Sequence, residues 1–256
     1  MHQSPDFSYG LHSDKIKTPH LMLTRGNGVS SPPYSSLNVS YRVGDTPENV
    51  THNRQKIKKM LGVKFLASSK QVHSDKVFAV NSLSDDVEVE GYDALITRTP
   101  GIGLLIQQAD CQAILLHDPV RMAIGAIHCG WRGNVLNIIK TTVDQMQKEY
   151  QTGPASLRAV ISPSLGPCCA EFIDFRSKLP AHFQQFQTTP EYFDFRAISR
   201  LQLIKAGVPG ANIDVINICT VCNKSFFSYR RAMKKGSQVT GRHGSIICIA
   251  PQSLAL

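Results

Sequence analysis

The chain has 256 residues, 42% of them hydrophobic and 18% charged, enough apolar material for a packed core and too much for a disordered protein. Lys and Arg total 28 against 19 Asp and Glu, a net charge of +9 that favours anionic partners, yet the basic residues are dispersed and form no continuous stripe for nucleic acid. No uncharged apolar stretch approaches the roughly 20 residues that cross a bilayer. The N-terminus lacks the basic start and apolar run of a signal peptide, so a cytoplasmic protein without membrane contact is expected.

In chain order, the first predicted element is a helix over Pro47–Leu61. Thr46 suits the N-cap, Pro47 the first helical position and Gly62 the C-terminal stop, with Val50, Ile57, Met60 and Leu61 as the buried side. Strands are predicted at 76–80, 103–107, 113–117 and 122–128. A second helix follows over 135–150, where Val135, Ile138, Ile139, Val143 and Met146 recur at helical spacing. Further strands are predicted at 158–162, 213–218 and 245–250, with a third helix over 199–206 ending at Gly207. No repeat or linker divides the chain, so 1–256 reads as a single domain. Strands outnumber helices, and only 122–150 makes a strand-to-helix unit. An α+β sandwich is therefore expected instead of a doubly wound sheet.

Seven cysteines cannot all pair within the chain, and free thiols or metal ligands suit a reducing compartment. His73, Cys111 and His128 each stand at a predicted strand end. Two imidazoles and one thiolate suit Zn²⁺ with an open fourth position. Their separations of 38 and 17 residues make no local motif, and a buried cysteine with two ordinary histidines explains the same letters. Cys219 and Cys222 form a C-x-x-C that reads best as a packed strand end, because no second C-x-x-C accompanies it. Cys168 and Cys169 read as a turn lining the site. Gly26 and Gly28 lack the lysine and helix of a phosphate loop, and Trp131 reads as packing the turn before Arg132. His2, His12, His20, His52, His117, His182 and His243 have no partner pattern and read as solvated.

A longer set of motifs occurs in register: TRGNGVS at 24–30, PYSSLN at 33–38, VGD at 43–45 and Asn53-Arg54, then the segments around His73, Cys111 and His128. GPCC at 166–169, CTVC at 219–222, FFSYRR at 226–231 and TGR at 240–242 complete it. In these the sequence resembles the YfiH-like family, also called the laccase-domain or polyphenol oxidase family. The resemblance implies a four-layer α/β/β/α sandwich, with His73, Cys111 and His128 as zinc ligands and catalytic centre and with Arg231 at the nucleoside. It implies purine nucleoside phosphorolysis, with adenosine deamination and methylthioadenosine phosphorolysis beside it, so nucleoside and phosphate are the expected small-molecule partners. Gln108 stands where Thr is usual, and Cys129 where many relatives have Ala. The family's older label gives the rival reading of copper-dependent polyphenol oxidation, with copper as the alternative metal. Hydrolytic editing of peptidoglycan precursors is attached to some relatives.

Overall fold

The computed structural model describes residues 9–250, and within them the longest apolar runs of the sequence become the central strands. Two six-stranded mixed sheets result. One contains β1 (Gly10–Leu11), β2 (His20–Leu23), β3 (Phe65–Lys70), β5 (Val87–Glu90), β7 (Ile102–Gln108) and β14 (His243–Cys248), in the order β1-β2-β14-β7-β3-β5. The other contains β4 (Val77–Ala79), β6 (Ala94–Thr97), β8 (Gln112–Asp118), β9 (Ala123–Cys129), β10 (Arg158–Ile161) and β13 (Ile213–Val215), in the order β13-β10-β8-β9-β6-β4. A small ribbon pairs β11 (Gln187–Thr189) with β12 (Tyr192–Phe193). The helices are α1 (Pro47–Leu61), α2 (Trp131–Leu136), α3 (Ile138–Tyr150), α4 (Phe175–Lys178), α5 (Phe195–Lys205) and α6 (Tyr229–Lys234).

Every residue of β7, β8 and β9 is buried, because both faces of their sheets are covered. Side chains alternate between the faces of a strand. Leu104 and Ile106 of β7 therefore join Leu115, Ile124, Ala126 and Ile247 in the layer between the sheets, while Leu105 turns outward to Leu23, Leu66, Ile246 and Ile57 of α1. On the far side of the second sheet, Ile96, Ile114, Leu116 and Ile127 meet Ile139, Val143 and Met146 of α3 and Leu203 of α5. Burying each such aliphatic side chain is worth about 1.5–3 kcal/mol.

Several expectations are corrected. The helix expected over 135–150 is two helices, because Asn137 takes the left-handed conformation (φ 58°) that Asn tolerates, and its side chain accepts from the Lys140 amide. The helix expected from Ser199 starts at Phe195, where the Asp194 carboxylate caps the amides of Arg196 and Ala197. Met60, expected on the buried side of α1, is exposed. His20, His117 and His243 are buried rather than solvated, whereas His12, His52 and His182 are exposed and His2 lies outside the described residues. Gly28 presses on its neighbours: a Cβ there would stand 2.1 Å from the Ser36 carbonyl, as a packed turn requires.

Candidate metal centre and its cavity

His73, Cys111 and His128 arrive from three different connections, and their donor atoms lie within 4.8 Å of one another. His73 follows β3 in a left-handed turn (φ 61°), and Cys111 sits in the short crossing from β7 in one sheet to β8 in the other. His128 lies near the end of β9, paired with Ala113 of β8. The Cys111 Sγ to His73 Nε2 distance is 3.9 Å. On a tetrahedral zinc, sulfur and nitrogen ligands stand about 3.6 Å apart, so this pair needs to close by only a few tenths of an ångström.

Asp93, just before β6, organises the two histidine segments. Its carboxylate accepts from the amides of Val72, His73 and Ser74 and from the Ser74 hydroxyl, fixing the turn that carries His73. It also meets His128 Nδ1 at 2.8 Å, which leaves Nε2 to face Cys111. A carboxylate behind a ligand histidine is the usual outer partner of a metal site. Gly130 supplies the remaining space: a Cβ there would stand 2.9 Å from Cys111 Sγ and 3.1 Å from His73 Cδ2.

The electrostatics suit a cation. Burial alone would raise the Asp93 carboxyl, but the hydrogen bond and charge of His128, with the Ser74 donors, outweigh it and hold the pKa at about 2. Burial would likewise raise the Cys111 thiol, yet the charge of His128 and hydrogen bonds from His128 and His73 bring it down to about 6. Burial would lower His128, whereas the Cys111 thiolate and Asp93 lift it to about 9. Without a cation, thiolate and imidazolium compensate each other. A metal bound by the trio would take the place of the His128 proton.

The trio forms the floor of a cavity of about 470 Å³, also lined by Arg42, Lys70, Gln71, Gln107, Gln108, Tyr229 and Arg242. This lies within the roughly 300–1,000 Å³ of small-molecule sites. Its amide walls are braced. Gln71 exchanges two hydrogen bonds with the Gln107 main chain, and Gln108 joins Ser162 and Pro163 to Ser245. Arg42 pairs with Glu88 at 2.9 Å and Lys70 with Glu90 at 3.7 Å. Arg242 has no carboxylate within ion-pair distance among the described residues.

Arg231 is not brought to this cavity wall. Its guanidinium donates to the carbonyls of Thr220, Val221, Asn223 and Phe226, and so braces the loop after β13. Cys168 and Cys169 do not line the cavity either. They meet Cys219 and Cys222, so the C-x-x-C does have companions. Trp131 packs against Phe172 with ring centroids 5.1 Å apart, and Arg132 lies over its indole. Asp93 belongs to no local motif, and Gly130, although it lies in the segment that carries His128, shows its role only in the folded turn. Arg242 had a signal in the TGR motif, though its role had not been singled out.

Residues 19–250 match the family described as multi-copper polyphenol oxidoreductase laccase, so the chain belongs to this YfiH/laccase-like family. It is 31% identical over 242 residues, 87% of this chain and 90% of the relative, to a protein of Bacteroides thetaiotaomicron named purine nucleoside phosphorylase. It is 33% identical to adenosine deaminase RL5 of an unknown prokaryotic organism, over 85% of this chain and 90% of that one. The crystal structure of YlmD from Geobacillus stearothermophilus superposes with a TM-score of 0.86 at 29% identity, covering 97% of this chain and 98% of that one.

Proposed function

We propose that the protein is a zinc-dependent purine nucleoside phosphorylase that also deaminates adenosine and phosphorolyses methylthioadenosine. The carrying observation is the trio His73, Cys111 and His128 on the floor of a nucleoside-sized cavity. Three protein donors with a fourth side open to a cavity are the pattern of a catalytic zinc site, and Asp93 supplies the outer carboxylate. The names of the relatives support the reaction class. Around this site we read the stacked sheets, with α1 outside one and α3 and α5 outside the other, as the four-layer α/β/β/α sandwich of one domain.

Zinc held there supplies Lewis acidity and lowers the pKa of a coordinated water. The chain supplies the rest. Phosphorolysis needs an anion held against the ribose C1′, and Arg242, which lines the cavity with no carboxylate within ion-pair distance among the described residues, is the cation we assign to it. Among the described residues, no Asp or Glu lines the cavity to oppose phosphate entry. Arg231 then acts as a positioning residue through the 219–226 loop, not as a phosphate contact. Multi-copper oxidation is not favoured, because one trio offers too few donors for several coppers. The test is product identification by mass spectrometry over a nucleoside panel. With phosphate, adenosine yields adenine and ribose 1-phosphate; without it, inosine. Absence of any phosphate-dependent product overturns the phosphorylase reading.

A further inference from the structure

The turn after β10 and the turn after β13 bring four thiols together: Cys168, Cys169, Cys219 and Cys222, with all sulfurs within 4.8 Å of one another. Cys222 Sγ lies 3.7 Å from Cys168 Sγ and 3.5 Å from Cys169 Sγ. Four sulfurs on a tetrahedral zinc, each about 2.3 Å from the ion, stand about 3.8 Å apart. We propose that these four cysteines form a second metal site, a closed tetrathiolate site for a thiophilic divalent cation such as Zn²⁺.

Four further features of the fold support it. The two turns are zipped together by hydrogen bonds from the Ser164 amide to the Ile218 carbonyl at 3.2 Å and from the Thr220 amide to the Ser164 carbonyl at 3.0 Å, so the thiols are held by main chain on both sides. Main-chain amides of Gly166, Val221 and Cys222 converge on Cys219 Sγ, the environment that steadies a thiolate ligand. Gly166 is confined: a Cβ there would meet Cys219 Cβ at 2.9 Å, Arg196 Nη2 at 3.2 Å and Cys168 Sγ at 3.4 Å. Arg196 is itself buried, with its nearest carboxylate, Asp194, 4.0 Å away, and its Nε has no hydrogen-bond partner. A divalent cation with four thiolates carries two negative charges, which adds to the single, distant carboxylate that faces this guanidinium.

The site also has a use. Thr220, within the ligand turn, donates to Asp110 Oδ1 at 2.7 Å, and the Arg230 amide donates to Asp110 Oδ2 at 2.7 Å. Asp110 adjoins Cys111. A cation at the four thiols therefore clamps the platform that orients the sulfur of the catalytic trio. With four protein ligands and no open position, the site is structural.

The proposal does not depend on the trio, and the test separates them. Reduced protein is loaded with Zn²⁺, passed through a desalting column and counted by elemental analysis. About two ions per chain are expected in the native protein, and about one in Cys111→Ala and in the double variant Cys168→Ser/Cys222→Ser. Zinc X-ray absorption of Cys111→Ala should show a shell of four sulfurs near 2.3 Å. Co²⁺ loading of the same variant should give the intense visible bands of a tetrahedral thiolate complex. A Cys111→Ala protein that binds no zinc overturns the second site, as does a shell containing nitrogen or oxygen. So does a disulfide among these four residues after purification under reducing conditions. These readings stand even if the double variant fails to fold.

Discussion

The cavity trio and the thiol cluster use the same kind of donor, but the fold treats them oppositely. The trio mixes two imidazoles with one sulfur, is braced from behind by Asp93 and faces a cavity of about 470 Å³. The cluster is all sulfur, is held by main-chain amides and lies near the surface, with Cys168 and Cys222 exposed. Three ligands beside a cavity leave room for substrate; four ligands between two turns leave none. The comparison teaches that ligand type alone does not make a metal site catalytic. The unfilled position does, together with the side chains that look into it.

Breaking the trio should have the largest effect. Cys111→Ala is expected to lose the cavity metal and to lower phosphorolysis and deamination together by about a thousandfold or more, since both need the same ion. Elemental analysis alongside both assays checks this, and full activity in that variant would separate the trio from the chemistry. Asp93→Asn comes next. It keeps the shape but replaces one acceptor oxygen with a donor among the Val72, His73, Ser74 and His128 contacts, so a loss of about 10–100-fold in zinc affinity is expected. Competition with a chelator measures it. The thiol cluster, which Asp93 does not touch, should keep its metal.

How much of this was legible in the sequence follows from how local each signal is. Helix α1 is bounded by Thr46, Pro47 and Gly62, all within the helix's own neighbourhood, and its expected limits match. The strands at 103–107, 113–117 and 122–128 show as apolar runs because both faces of each are covered; the first two are observed one residue longer at each end and the third shifted by one. β3 carries two buried serines and so lacks an apolar signature, and the other strands outside the expected set, β1, β2, β5, β6, β11 and β12, are four residues long or less. His73, Cys111 and His128 stand out at predicted strand ends, but with 38 and 17 residues between them only the family motifs set them apart from an ordinary cysteine and two ordinary histidines. The cluster was missed for the same reason in reverse. Cys168-Cys169 and Cys219-x-x-Cys222 are local patterns, and only the pairing of Ser164 with Cys219 brings them together.

Two smaller effects sharpen the comparison at the cavity. Arg242→Ala is expected to slow phosphorolysis about 10–100-fold, the worth of one charge-assisted hydrogen bond, with deamination changed much less. Side-by-side release of ribose 1-phosphate and inosine measures the ratio. In Arg231→Ala both rates should fall by the same factor, because that residue braces a loop and does not hold an anion. A selective loss of phosphorolysis there would assign the phosphate to Arg231 instead.

The smallest expected signal is in protons. The Cys111 thiol sits at about 6 and His128 at about 9, so between these values the sulfur is already ionised and the His128 proton must leave for Nε2 to bind metal. Zinc affinity at the trio should therefore rise with pH through that window, with at least about one proton released per ion. Below about pH 6 the thiol competes as well and the slope steepens. Calorimetry of the cluster double variant in buffers of different ionisation enthalpy counts the protons at the trio alone.

The central claim is that the cation at His73, Cys111 and His128 drives nucleoside chemistry in this cavity. The most direct test strips the metal from the cluster double variant and titrates Zn²⁺ back while products from adenosine and phosphate are followed by mass spectrometry. Activity should be absent at the start, rise linearly and level off at about one zinc per chain, with adenine and ribose 1-phosphate as the phosphate-dependent products. Undiminished turnover in the stripped protein, or a fully loaded trio that leaves adenosine unchanged, would contradict it.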